Sequence, residues 1–186
     1  MVTVMSLWLP ILLSAVIVFV ASSIIHTVLN YHASDYRKLP NEDEIMTALR
    51  PFEIPPGDYV IPHAGSTSAM KDPAFVDKMK AGPVAFMTVM PSGPPSMGSS
   101  LVLWFLFAVL VSIIAAYITG NARPSGANYL EVFRFAGCTA FTGYAIGLIH
   151  DSIWYKRNWL TTLKYLFDGL VYGLLTGGVF GWLWPR

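Results

Sequence analysis

Asp168 is the residue whose placement most demands a chemical account. It lies in the stretch Leu163 to Trp184, which is apolar apart from Lys164 and Asp168. On a helical rise of 1.5 Å per residue it sits about 7 Å beyond Leu163. A carboxylate at that depth in a membrane helix must face protein or water and must find a partner. Lys164 stands one turn before it, His26 near the end of an earlier apolar run, and His150 with Asp151 at the end of a third. If these runs are successive membrane spans, all five residues lie towards one membrane face.

Three chemistries fit this set. Lys164 and Asp168 can form an i,i+4 ion pair, with the lysine snorkelling outward and the histidines hydrogen-bonded. Asp168, His26 and His150 can line a polar route for a proton or solute. His26 and His150 can ligate a metal or haem, although no spacing motif supports it. His63, in a proline-rich loop, and His32, in the polar tail of the first run, have no surroundings that assign either to a metal site.

Hydrolytic and phosphate-binding signatures are missing: there is no Gly-x-Ser-x-Gly, no His-Glu-x-x-His and no glycine-rich phosphate loop. The one cysteine, Cys138, excludes an internal disulfide or a cysteine-built zinc site. It falls mid-span, where a thiol is ordinarily inert packing. The expectation is a non-enzyme without a cofactor.

The elements that position these residues follow from composition. The chain has 186 residues, 54% of them hydrophobic and only 12% charged, with a mean hydropathy of +0.53. A soluble domain carries about twice that charge. A net charge of +1 also removes the phosphate attraction on which nucleic-acid binders depend. The sequence therefore predicts an all-α membrane protein with four transmembrane helices.

The first span lies within 1–30: no charge occurs before Asp35, and Leu7 to Val28 is almost continuously apolar, long enough for a hydrocarbon core of about 30 Å. A cleaved signal would carry Lys or Arg ahead of the run, so a retained anchor is expected. The second occupies 101–120, with Trp104 and Tyr117 near its ends as interfacial anchors. Asn128 and Glu131 have capping-box spacing and open the third, 128–155. The fourth is 162–184.

Four spans put both termini on one side. The side holding 31–100 and the turn near 151–162 carries Arg37, Lys38, Lys78, Lys80, Lys156, Arg157 and Lys164; the other carries Arg123, Arg134 and Arg186. The excess places loop 31–100 in the cytoplasm and the termini in the periplasm.

Residues 31–100 hold ten of the thirteen prolines and eight of the eleven acids. Asn41 with Glu44, three consecutive acids and the stop Arg50-Pro51 predict a helix over 42–50. Asp72, Pro73 and Gly82 bracket another over 73–80. Asp58–Ile61 and Pro83–Val89 have strand composition and predict a two-stranded sheet. Pro91–Ser100 is a turn-rich tether. So small a core is marginal alone and is expected to lie against the helix ends or a partner.

The sharpest pattern is Gly169, Gly173, Gly177 and Gly181, a side-chain-free groove along one helix face. Ala108, Ser112, Ala116 and Gly120 repeat the spacing in the second span; Ala136, Ala140, Gly143 and Gly147 approximate it in the third. Between helices in lipid, small residues permit the close approach that drives packing. The faces can meet inside one bundle, between copies, or against another membrane subunit.

Ser34 to Pro40, Gly82 to Pro91 and the close Phe167-Asp168-Gly169-Leu170 through Trp182-Leu183-Trp184-Pro185 resemble a family of small hypothetical bacterial inner-membrane proteins with four helices. The resemblance implies a multi-pass protein of the bacterial inner membrane and transfers no functional residue. The leading expectation is a non-catalytic protein acting by association with lipid and with other membrane subunits or itself. A small transporter or channel is the alternative, and a membrane haem protein or enzyme the third.

Overall fold

The uncharged N-terminal run folds as helix α1 (Trp8–Thr27), entered through a short 3-10 turn over Val4–Leu7 in which the Ser6 amide donates to the Thr3 hydroxyl. Pro10 falls in the first turn, where amides have no intrahelical partner. The structure, a computed structural model, describes all of residues 1–186. It divides into two units, Met1–Tyr36 with Ser96–Arg186, and Arg37–Pro95.

In the first unit, α4 (Met97–Ala122) begins four residues before the expected 101. The hydroxyls of Ser99 and Ser100 donate to the Ser96 carbonyl and extend the helix into the serine-rich approach. Helix α5 (Tyr129–Tyr144) starts on Asn128 as its cap: the side-chain oxygen accepts from the Glu131 backbone amide at 3.0 Å, and the side-chain nitrogen, rather than the backbone N–H of a full capping box, donates to Glu131 Oε1 at 2.8 Å. The expected continuous third helix is interrupted. After Tyr144 the backbone leaves helical geometry at Ala145, passes through a 3-10 turn at Ile146–Leu148 and resumes as α6 (Ile149–Trp154). Gly143 and Gly147 weaken the helix there. Helix α7 (Trp159–Trp182) is capped by Asn158, which accepts from the Leu160 amide at 2.9 Å, so it both starts and ends before the expected 162–184.

The long helices form a ring in which α1 packs on α4 and α7, and α5 packs on the same two. One end is tied by Val2 N–H to the Gly120 carbonyl, Gly126 N–H to the Pro185 carbonyl and Trp184 Nε1 to the Pro124 carbonyl, each 2.9 Å. Leu7, Ile11, Ala116, Val132 and Phe180 fill the core near that end; Val18, Val111, Ala140, Tyr144 and Tyr172 fill it further along. The outside is apolar too: Leu12, Val16 and Val20 on α1, Leu106 and Leu110 on α4, and Leu163, Phe167, Leu170 and Leu174 on α7 are all exposed. A bundle apolar all round suits lipid rather than water. Three helical stretches, Val4–Thr27, Met97–Ala122 and Tyr129–Trp154, are long and apolar enough to cross a membrane. The expected fourth, α7, is long enough, but its five glycines and its polar residues dilute its apolar content below theirs.

The glycine face of α7 meets α5 and Ala145 of the same chain. A Cβ at Gly173 would lie 2.9 Å from the Gly137 carbonyl oxygen, and one at Gly177 2.7 Å from that of Phe133. At Gly181 it would strike the Tyr129 ring, and at Gly169 the Ala145 methyl. Gly137, outside the expected stripe, is thus the α5 residue that admits the α7 backbone. Ala136 and Ala140 turn into the shared core, Gly143 packs on Val111, and nothing lies within 4 Å of a Cβ at Gly147. On α4, Ala108 and Ala116 are fully buried, Ser112 accepts from the Ser14 hydroxyl at 3.0 Å, and Gly120 abuts the Val2 carbonyl.

The second unit holds α2 (Glu42–Leu49), β1 (Gly57–Ile61), α3 (Pro73–Ala81) and β2 (Ala85–Val89). The strands pair antiparallel from Gly57 opposite Val89 to Ile61 opposite Ala85. Asp72 caps α3 through the Ala74 amide at 2.8 Å. Asn41 does not cap α2 as its spacing predicts. It sits in the left-handed region at φ 49°, which turns its side chain from the helix amides towards Glu44 Oε2. No side chain in Arg37–Pro95 is fully buried.

Candidate functional site

Beyond α1 the chain forms a 3-10 turn over Asn30–Ser34 that lies on the start of α7. This turn brings a polar network to Asp168. His32 Nε2 lies 2.8 Å from Asp168 Oδ2, and His32 Nδ1 lies 2.6 Å from Asp35 Oδ2. The Tyr31 hydroxyl donates to Asp168 Oδ1. Lys164 Nζ donates to Asp35 Oδ1 at 2.8 Å, to Ser34 Oγ at 2.9 Å and to the Tyr31 carbonyl.

The two carboxylates are almost fully enclosed, each with 2% of its side chain exposed. Buried charges persist only when paired and hydrogen-bonded. Both ring nitrogens of His32 face carboxylate oxygens, and a ring carrying a hydrogen on each would donate to both. Lys164, Asp35, His32 and Asp168 then alternate in sign and sum to zero. Burial pushes the Asp35 carboxyl up, but the hydrogen bonds and charges of Lys164 and His32 outweigh it and hold the group below its ordinary value. Burial, then the Asp168 hydrogen bond, raise Tyr31 well above the usual phenol range, so it remains a donor.

Asp168 and Lys164 are both in the network, but not as the i,i+4 pair the spacing suggested. Each is claimed by the 31–35 turn, whose donors and acceptors reach them from across the bundle. His26 lies beside them, its ring centroid 4.5 Å from that of His32. His150 and Asp151 do not join. The break after Tyr144 redirects α6, leaving His150 against the Trp154 and Tyr155 rings and Asp151 3.7 Å from Arg157. His26 and His150 are therefore not a ligand pair. Tyr31, His32, Ser34 and Asp35 escaped sequence reasoning. Their one signal was a compact polar group just past the first span, at the end of the molecule where Asp168 belongs. Cys138 is exposed on α5 rather than packed inside.

Next to the network a cavity of about 690 Å³ opens between the helices. His26 and Asp168 form part of its wall; Trp104, Phe107, Tyr144 and Leu148 give it an apolar body. Trp104, Tyr144 and Tyr172 cluster there with ring centroids 5.4 to 6.1 Å apart. Trp104 Nε1 on this wall is buried without a hydrogen-bond partner, and the Tyr172 hydroxyl has the Ser22 side chain beside it. Tyr172 itself is only 3% exposed. Buried donors are normally paired, so the Trp104 N–H is free to serve a guest. The size lies within the usual range of small-molecule sites, and so does an apolar wall with a few convergent polar groups.

No family model matches the chain, and no curated protein or solved structure shows similarity to it.

Proposed function

We propose that the chain is a four-span protein of the bacterial inner membrane whose work is done in this cavity. It is a small transporter or carrier for a molecule with an apolar body and a polar head. The cavity itself carries this reading: its aromatic body suits the apolar part, and the unpaired Trp104 Nε1, with His26, Asp168 and the Tyr172 hydroxyl, suits the head. His150 is absent from the lining, which narrows the polar route to His26 and Asp168. For α7 as the fourth span, its 24 residues are about 36 Å of helix, and Leu163, Phe167, Leu170 and Leu174 form an outward apolar stripe. The excess of Lys and Arg supports a cytoplasmic 31–100 segment and periplasmic termini.

Gly147 supplies the test, because its Cβ position is open and it lines the cavity. Native mass spectrometry of the protein extracted in mild detergent is expected to show a retained small-molecule adduct. Gly147→Phe should lose that adduct with the fold intact. Equal occupancy in both proteins, or none in the parent, would remove the reading.

Association with a partner subunit has one observation in its favour. Arg37–Pro95 lacks any fully buried side chain, and Phe52 and Met90 are each 73% exposed. The glycine face lends no support, since α5 of the same chain covers it. Native purification is expected to bring a second protein along if this unit docks on one, and deletion of 37–95 should release it. A lone chain at its own mass counts against association.

A further inference from the structure

We propose that His26, His32 and Asp168 form a site for a divalent transition ion of the zinc type, with the remaining coordination position facing the cavity. The donor atoms of the three side chains lie within 4.8 Å of one another. Two imidazoles and one carboxylate suit Zn²⁺ and its first-row neighbours, and three protein ligands with one open place is how zinc sites that handle a ligand are built. Donors about 2.1 Å from a shared ion stand roughly 3.3 Å apart. Closure therefore needs the His26 ring to move by up to about 1.5 Å and the His32–Asp168 pair to open slightly from its 2.8 Å.

The surrounding groups are already arranged for this. A metal-bound histidine almost always donates its other N–H to a carboxylate, which fixes the ring and its ligating nitrogen. Asp35 Oδ2 does this to His32 Nδ1 at 2.6 Å, and Lys164 holds the other Asp35 oxygen in turn. The Tyr31 hydroxyl occupies Asp168 Oδ1, leaving Oδ2 turned towards His32 Nε2. An ion between these last two atoms takes the place of the proton they share. His26 is the telling residue. It touches the rings of His32 and Tyr165 but makes no hydrogen bond, although it stands beside a carboxylate on the cavity wall. A network serving stability alone accounts for Tyr31, Asp35 and Lys164 and gives His26 no task. The site rests on these side chains and stands whether or not the cavity takes an organic guest.

The experiment is a Co²⁺ titration of the full chain in mild detergent after stripping with a chelator. One ion per chain is expected, with the visible absorption of four- or five-coordinate cobalt, bleached by Zn²⁺. Asp35→Asn, which touches no ion, should weaken binding about 10–100-fold while keeping the absorption shape at saturation. His26→Ala should lose more than that, yet keep its helical circular dichroism and elution volume, because His26 makes no hydrogen bond. If the parent takes up no Co²⁺, or if His26→Ala binds as tightly as the parent, the site does not exist.

Discussion

Gly177→Leu is expected to abolish the folded bundle, with the yield of monodisperse protein falling to a small fraction and any remainder melting far below the parent. The cause is backbone, not side chain. A Cβ at this position would lie 2.7 Å from the Phe133 carbonyl oxygen and 3.1 Å from Gly137 Cα. A neighbouring side chain can rotate away, but a helix backbone can yield only by separating α5 from α7. Overpacking in a close-packed core costs about 1–3 kcal/mol. Parting two helices along their small-residue seam costs more, since close approach is what holds helices together in lipid. Gly178→Leu is the control, because its Cβ position has only the Tyr129 hydroxyl in contact, at 3.7 Å. Gel filtration and a melting curve of both proteins in one detergent decide the matter. Equal stability would mean that the Gly137–Gly177 approach does not hold the helices together.

Lys164→Met is expected to be the most damaging single change at the other end of the bundle, at about 3–5 kcal/mol, the usual cost of leaving a buried charge without its partner. Lys164 supplies three hydrogen bonds to the 31–35 turn, and its removal leaves Asp35 with His32 alone. The double change Lys164→Met with Asp35→Asn removes both charges, and His32 remains opposite Asp168. It should recover the larger part of the lost stability, since pairs that share a network are strongly non-additive. Thermal melts of the parent, two single variants and the double variant form the cycle. A double variant no better than Lys164→Met would show that the ion pair is not the source of the cost.

Much of the fold is legible in individual residues. The capping pair Asn128 and Glu131 starts α5, Asp72 with Pro73 starts α3, and both short strands lie within a residue or two of their composition signals. These features are local: a cap or a strand depends on neighbours within a few positions. The failures share a different property. The break after Tyr144 goes with contact between Ala145 and Gly169, twenty-four residues away, and Asn41 misled because its backbone is left-handed.

At the candidate site, Asp168 and Lys164 were recognisable because a charge inside an apolar helix is costly wherever it ends up. Their partners were not recognisable. Tyr31, His32 and Asp35 lie more than 125 residues away along the chain, and no spacing rule spans that distance. Amino-acid order alone determined that this protein has apolar helices, small-residue faces and a stranded carboxylate, because hydropathy and side-chain size are properties of each residue. Only the tertiary structure decided which backbone fills the glycine groove, which histidine meets Asp168 and where a cavity remains. Those outcomes depend on how four helices close on one another, and closure brings together residues that local forces never compare.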